Sequence, residues 1–290
     1  MASISRQRAL IEFGPLAPNR LCGDGNSLLK ARSMTADATP SEANGYGEPE
    51  TVSFGYEDVP IEEKAARVGA VFSSVAKSYD RMNDAMSVGM HRLWKDRFVR
   101  RVKPREGETI LDMAGGTGDI AFRMAPSGAS ITVSDINQDM LDVGVERAVS
   151  RGIDGLVWSR QNAEELSFGD RFFNAYTIAF GIRNVTRIDH ALAEAHRVLK
   201  PGGRFFCLEF STTEWPGFAE VYDLYSHKVV PQLGKAIAGD ADSYRYLIES
   251  IRRFPKMRDF EGMIREAGFR HTKVEPILGG LVAIHSGWKI

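Results

Sequence analysis

The chain has 290 residues, 43% of them hydrophobic, enough to bury a full core as one large domain or two small ones. Its 37 basic and 38 acidic residues nearly cancel, which leaves no overall footprint for a nucleic-acid backbone. Cys22 and Cys207 match no metal-ligand spacing and argue for a reducing compartment, and no apolar run approaches the ~20 residues a bilayer span requires.

Residues 1–50 are rich in Ser, Ala, Asn, Gly and Pro, show no hydrophobic period, and read as a disordered tail. Arg6, Arg8, Arg20, Lys30 and Arg32 make its start mildly basic, as in an organellar targeting peptide. The competing reading is a mis-assigned start with Met34 as initiator. It is favoured because Glu12 and Asp24 interrupt the basic stretch and the amphipathic spacing is poor.

From Ile61 the pattern becomes regular, with amphipathic helices over 61–76 and 89–102. A short strand at 109–113 runs into a glycine loop, and a helix begins near Asp119. A strand at 131–134 ends at Asp135 and is followed by a helix over 137–150. Further strands are predicted at 155–160, 173–180 and 203–210, with a helix over 187–199 before the last of them. The tail offers a helix over 256–267 and strands at 271–277 and 281–288. Alternating strands and helices mean a mostly parallel α/β sheet covered on both faces, and the short Gly279-Gly280 connection makes the last two strands an antiparallel hairpin.

The stretch Ile110-Leu-Asp-Met-Ala-Gly-Gly-Thr-Gly-Asp119 lies at a strand-to-helix turn, where open α/β sheets bind their ligands. Glycine allows both a tight turn and close approach of a ligand to the backbone. Gly116 to Ala121 also satisfies the dinucleotide fingerprint G-x-G-x-x-A, so an NAD-dependent oxidoreductase is the rival enzyme reading. Asp112, just before the glycines, can accept hydrogen bonds from an ammonium group, whereas it would repel a pyrophosphate. Asp135, at the next strand end, can hold two ribose hydroxyls but suits either cofactor. Together the two acids favour a cationic cofactor, S-adenosyl-L-methionine, bound by Asp112, Gly115, Gly116, Thr117, Gly118 and Asp135.

Two longer stretches are more specific: Tyr79-Asp-Arg-Met-Asn-Asp-Ala-Met-Ser-Val-Gly-Met-His-Arg-Leu-Trp94 and Arg197-Val-Leu-Lys-Pro-Gly-Gly-Arg-Phe-Phe-Cys-Leu-Glu-Phe-Ser211. Both resemble signature segments of the UbiE/MenG-type quinone C-methyltransferases, as do Thr177–Val185, Gly239–Ile251 and Val282–Gly287. The resemblance covers residues 51–290 and implies a class I methyltransferase domain, with a Rossmann-like seven-stranded sheet, a C-terminal antiparallel hairpin and an N-terminal helical lid at about 61–102. It implies S-adenosyl-L-methionine as cofactor, with Thr117, Asp135, Asn162 and Ala163 in contact with it. The reaction implied is methylation of a ring carbon of a 2-methoxy-6-polyprenyl-1,4-benzoquinol, with demethylmenaquinol as a further acceptor. Position 179, often serine in the family, is Ala179 here, and Asn174 stands where aspartate is frequent.

Ring methylation needs electron density on the carbon, which a quinol hydroxyl supplies once its proton is lost, so the enzyme's tasks are orientation and exclusion of water. Arg183 is expected to stabilise the developing phenolate directly or through a water; the alternative is an Arg paired with a carboxylate. Tyr79, Asp80, Asn83, His91 and Trp94 belong to the lid: Trp94 is placed to stack on the ring and His91 to exchange protons. Ordinary packing is the alternative for both. Tyr244, Arg245 and Tyr246 form the opposite wall, or else a solvated helix face with one buried aromatic. A polyprenyl tail implies peripheral membrane association, with residues 221–237 as candidate surface, and the company of other quinone-synthesis enzymes. No nucleic acid partner and no metal are expected, and a homodimer is compatible with the resemblance. The compartment expected is the bacterial cytoplasm against the inner membrane, the alternative being the matrix face of the mitochondrial inner membrane. A nucleic-acid methyltransferase would need a basic stripe that is not visible, and a silent scaffold would have no need of intact Asp112, glycine loop and Asp135.

Overall fold

Five runs rich in Ile, Val, Leu, Phe and Tyr form the strands of a seven-stranded sheet that pair in parallel with one another. They are β3 (Thr109–Met113), β4 (Ser130–Asp135), β5 (Leu156–Arg160), β6 (Phe173–Ala179) and β7 (Leu199–Phe210). β8 (Arg270–Ile277) and β9 (Val282–Trp288) complete it in the order β5-β4-β3-β6-β7-β9-β8, with β9 antiparallel to both β7 and β8. The computed structural model describes residues 50–79, 83–84, 87–211 and 241–290, apart from the side chains of Lys77 and residues 241–244. The expected tail over 1–49, the stretch 221–237, Asp80 and the Tyr244 side chain lie outside the described residues.

Strand geometry sends successive side chains to opposite faces, and the core is divided accordingly. Ile110, Ala175, Phe206 and Leu208 join one apolar cluster, while Leu111, Tyr176, Phe205 and Cys207 join the other. The first cluster is covered by α1 (Ile61–Val75), α2 (His91–Val102), α3 (Asp119–Met124) and α6 (Ala241–Arg253), which supply Val68, Phe98, Ile120 and Leu247. The second is covered by α5 (Ile188–Val198) and α7 (Met257–Glu266), through Leu192 and Phe260. α4 (Gln138–Ser150) starts at Asn137, whose Oδ1 accepts the Met140 N–H at 3.1 Å and so satisfies an amide the helix leaves open.

The predicted elements are all present, with small corrections. β7 begins at Leu199 rather than 203, because Leu199 pairs with Phe173 before the register breaks and resumes at Ala175↔Arg204. Two elements escaped the periodicity. A hairpin of β1 (Thr51–Phe54) and β2 (Glu57–Pro60), too short for alternation to register, turns at Gly55 with φ +60°. α6 is the other, and its outline matches the solvated-face alternative: Arg245 is exposed and Tyr246 buried.

Gly144 shows how tightly the helices meet the sheet. A Cβ there would lie 2.6 Å from Trp158 Cη2 and 3.0 Å from the Gly116 carbonyl oxygen. Alanine inside a helix is normally favoured over glycine by about 1 kcal/mol. Here the sign reverses: Gly144→Ala is expected to destabilise the fold by about 1–3 kcal/mol through overpacking, and, by displacing the Gly116 backbone, to weaken S-adenosylhomocysteine binding. Urea denaturation and calorimetry check the two effects.

Candidate active site

The chain leaves β3 for β4 and β5 on one side of the sheet and β6 and β7 on the other, so a crevice opens at the carboxyl ends of β3, β4 and β6. It holds about 1080 Å³ of space, its mouth included, with α1 contributing Val68, Gly69 and Phe72. The loops after β3 and β6 touch face to face, since a Cβ on Gly181 would overlap that of Ala114.

The glycine loop is folded by its own amides. Gly115 N–H donates to the Ser134 carbonyl at 2.9 Å, and Gly118 N–H to the Gly115 carbonyl at 2.9 Å. A Cβ on Gly115 would stand 2.6 Å from Val133 Cγ1 and 3.0 Å from the Asp112 carbonyl oxygen, and Gly116 has φ +49°. Gly118 serves differently. It does not line the cleft; its φ of +82° starts α3, and a Cβ would meet Trp158 at 2.7 Å and Phe122 at 2.8 Å. Its place in the dinucleotide fingerprint thus reflects packing rather than ligand contact.

Asp112 is 1% exposed; Thr177 Oγ1 donates to its Oδ1 at 2.8 Å, while Oδ2 has no partner. Burial pushes its pKa up to about 7 despite the Thr177 hydrogen bond. Asp135 accepts Gly116 N–H at 3.0 Å on Oδ2 and Asn137 N–H at 2.9 Å on Oδ1; burial lifts its pKa to about 6 against these amides. Each oxygen keeps a second lone pair for a diol. Thr117 lines the cleft, and its hydroxyl accepts from Arg147 Nη1 at 2.7 Å, which fixes the oxygen and leaves its O–H to donate to a ligand. Asn162 and Ala163 line the far side, with Asn162 Oδ1 accepting the Glu164 N–H at 3.1 Å in a tight turn. An unpartnered buried carboxylate oxygen, a loop bare of Cβ atoms and a second strand-end carboxylate fit the ammonium, backbone-contacting and ribose parts of S-adenosyl-L-methionine.

A small side pocket, with room for about one water molecule, adjoins the cleft, and Tyr79 and Phe180 line both. Asn83, His91, Arg183 and Leu247 also line it. Burial pushes the Tyr79 hydroxyl up to about 12, opposed by Arg183 and by a hydrogen bond with Asn83. Arg183 Nη1 donates to Glu209 Oε1 at 2.6 Å and to the Phe180 carbonyl at 2.8 Å, so the carboxylate-paired alternative is realised. Its Nε is nevertheless buried without a partner. Burial raises the Glu209 pKa, and the Arg183 charge offsets part of that rise.

Trp94 lines neither cavity. It is 4% exposed and packs on Phe210, edge to face at 6.0 Å between ring centres, and on Phe180 at 6.4 Å, so its place is the core behind the site rather than against a ring. Arg245 and Tyr246 lie outside both cavities, the Tyr246 hydroxyl donating to Asn184 Oδ1 at 3.0 Å, and Leu247 takes the wall expected of them. Sequence reasoning missed Lys95 and Asp119, which line the cleft and pair at 2.7 Å. Burial alone would raise Asp119, but Lys95 and Arg123 outweigh it and hold the carboxylate well below its usual range. A lysine buried among apolar helix positions was the available signal. Glu209 was quoted inside a family stretch, but no local pattern pointed it at Arg183. Asn174 Oδ1, at the aspartate-to-asparagine departure, accepts from the Thr109 N–H at 3.0 Å and Lys200 Nζ at 2.9 Å.

Residues 60–289 match the model of the ubiE/COQ5 methyltransferase family. A ubiquinone/menaquinone biosynthesis C-methyltransferase UbiE of Zymomonas mobilis is 62% identical over 241 residues, covering 83% of this chain and all of that protein. A protein of the same name from Rhodopseudomonas palustris strain TIE-1 is 58% identical over 248 residues, covering 83% and 98% of the two chains. Among solved structures, a SAM-dependent methyltransferase of Thermotoga maritima superposes with TM-score 0.56 at 19% identity, over 77% of this chain and all of the other. That likeness is one of fold.

Two outcomes are expected. Removing Arg183 alone leaves Glu209 charged and buried, so Arg183→Ala should cost about 3–5 kcal/mol in chemical denaturation, and Arg183→Met with Glu209→Gln should recover most of it. Asp112 must be ionised to hold an ammonium, and it loses its proton only near pH 7. Calorimetric affinity for S-adenosylhomocysteine should therefore rise as pH climbs from 6 to 8, and Asp112→Asn should bind weakly with most of that slope lost, the remainder belonging to Asp135, which ionises near 6. The same shift works oppositely on the unliganded fold: a raised carboxylate pKa favours the native state at low pH, and that contribution is lost as pH rises through the unfolded value toward 7.

Proposed function

The chain belongs to the ubiE/COQ5 methyltransferase family, and we propose that it transfers a methyl group from S-adenosyl-L-methionine to a ring carbon of a polyprenyl benzoquinol of the 2-methoxy-6-polyprenyl type in ubiquinone biosynthesis, with demethylmenaquinol as a second acceptor. The observation that carries this reading is the unpartnered Asp112 carboxylate oxygen at the end of β3, beside a loop that glycine keeps open. The oxidoreductase alternative falls with the family assignment, and with the placing of Gly118 in packing.

In this reading Asp112, Gly115, Gly116, Asp135, Asn162 and Ala163 hold the cofactor, which supplies an electrophilic methyl on a sulfonium sulfur. Thr117 contributes its backbone and the O–H of its side chain. The quinol ring lies in the main cleft against Phe180, with Tyr79 at the junction of the two cavities and the reacting hydroxyl turned to the side pocket, which Leu247 also lines. Arg183 is fixed by Glu209, so its free Nε presents a donor at the cost of no reorganisation, suited to a developing oxyanion. Asn83 belongs to the same wall. Packing of α1 over the cleft keeps water from the reacting groups.

The polyprenyl tail of such a substrate resides in a bilayer, and among the described residues no helix is long and apolar enough to cross one. On the strength of that substrate we propose a peripheral protein at the cytoplasmic face of a bacterial inner membrane, beside other quinone-synthesis enzymes and compatible with a homodimer.

The test is methyl transfer from labelled S-adenosyl-L-methionine, with a short-chain ubiquinol precursor and a demethylmenaquinol offered side by side, both kept reduced. Label in the quinol fraction is expected, and the ratio between the two identifies the preferred acceptor. Tight S-adenosylhomocysteine binding without label in either quinol would overturn the substrate assignment.

A further inference from the structure

The start of α2 carries a second pairing that the cofactor site does not use. His91 is 4% exposed, and its Nε2 lies 2.9 Å from Asp84 Oδ1. Asp84 is also gripped by Arg92, through Nε at 3.1 Å and Nη2 at 2.7 Å; these bonds, Arg92 first and then His91, hold it below the usual carboxylate range. An ionised carboxylate only accepts, so Nε2 bears the proton and Nδ1 bears a lone pair. That Nδ1 is buried and has no partner. The ring is positioned from behind, since Ser87 Oγ accepts the His91 N–H at 3.1 Å and donates to the Asn83 carbonyl at 2.7 Å.

His91 and Arg183 line the same small pocket, the one that shares Tyr79 and Phe180 with the main cleft. The two residues bring a buried acceptor, Nδ1, and a buried donor, Nε, each without a partner. An orphaned acceptor and an orphaned donor on residues lining one small pocket together complement a single hydroxyl or water, which gives one hydrogen bond and takes another. A carboxylate ligand would leave Nδ1 unsatisfied, and an ammonium would leave Arg183 Nε unsatisfied.

We propose that the Asp84–His91 pair is the base of the reaction: Nδ1 of His91 takes the proton of the quinol hydroxyl while Arg183 Nε donates to the resulting oxyanion. This deepens the methyltransferase reading above and rests on it. The O–H bond breaks toward Nδ1, and its electron pair conjugates into the ring. The ring carbon then forms a bond to the methyl carbon as the methyl–sulfur bond breaks, the electron pair staying on sulfur. The proton on that carbon leaves to solvent as aromaticity returns, with the phenolate oxygen reprotonated by the imidazolium of His91. One proton is released overall, which balances the charge lost by the sulfonium.

The charges around His91 suit the role. Burial, and then Lys95 one turn along α2, lower its pKa, whereas Asp84 and, from α3, Asp119 raise it. Arg183, paired with Glu209, and Tyr79 face it across the pocket. The net effect is a neutral imidazole near pH 7, and Asp84 stabilises the imidazolium once it forms. Asp84 is thus a positioning residue acting through His91.

His91→Gln keeps a side-chain N–H for Asp84 and removes the Nδ1 lone pair. Its kcat is expected to fall about 100-fold or more, with S-adenosylhomocysteine affinity within about twofold of wild type, and the acid limb of the wild-type kcat profile should vanish. Asp84→Asn should lose less and move that limb to lower pH, since the imidazolium loses its counter-charge. A readout free of the methyl donor is the ¹⁵N spectrum of histidine-labelled protein. Adding a short-chain quinol alone should shift one Nδ1 resonance that is missing from His91→Gln. A His91→Gln enzyme as fast as wild type, an acid limb that survives it, or a quinol-insensitive Nδ1 would each overturn the dyad. A wild type that transfers no label overturns the methyltransferase reading instead. If His91→Gln fails to bind S-adenosylhomocysteine, the Asp84→Asn limb and the wild-type spectrum decide.

Discussion

The divergence of the chain at β3 and β6 is the constraint from which the site follows. Two parallel strands lie side by side, yet their continuations leave in opposite directions, and the loops that begin this departure meet so closely that Ala114 faces a glycine, Gly181. Backbone therefore occupies the space where side chains would otherwise fill the crevice. The polar ends of β3, β4 and β6 are left facing a cavity rather than a core. A carboxylate placed there, Asp112, is dry enough to be reluctant to ionise and exposed enough to a ligand to be rewarded by a cation.

The surrounding charges obey a consistent rule. Lys95 meets Asp119, Arg183 meets Glu209, and Asp84 meets His91 and Arg92. Such pairs stabilise little by themselves, because desolvation offsets most of the Coulomb attraction, but they hold long side chains in one geometry. Against that background the unpaired atoms stand out. Among the described residues seven buried side-chain polar atoms lack a partner, and three of them (Asp112 Oδ2, Arg183 Nε and His91 Nδ1) belong to residues lining the cleft or its side pocket. A folded core rarely tolerates such atoms without a ligand to meet them.

The lid region shows how position in a cavity differs from membership in a motif. Tyr79, Asn83, His91 and Trp94 all fall in one signature stretch, and three of them reach the side pocket. Trp94 does not, because it is held behind the pocket by Phe180 and Phe210. It shapes the site through the two phenylalanines that do line it. In the same way Thr117 is a loop residue whose hydroxyl is turned to Arg147, and Gly118 is a loop glycine whose missing Cβ makes room for Trp158.

Much of this was written in the order of residues. Alternating apolar runs and helical periods determined the strands β3 to β9 and most of the helices, since burying one face requires those periods whatever the partner. The glycine loop with Asp112 before it and Asp135 after the next strand located the cofactor crevice, because local backbone demands and strand ends are sequence-local facts. The hairpin at 51–60 was not legible, being four residues a strand and held by long-range contacts such as Phe54 stacked on Tyr246 at 4.3 Å. Nor was the insertion of β9 between β7 and β8, which depends on pairing across the sheet. The pairings of Glu209 with Arg183 and of Lys95 with Asp119 join residues 26 and 24 positions apart in sequence. Which buried polar atom finds a partner and which is left for a ligand is a property of packing in three dimensions, and only the tertiary structure decided it.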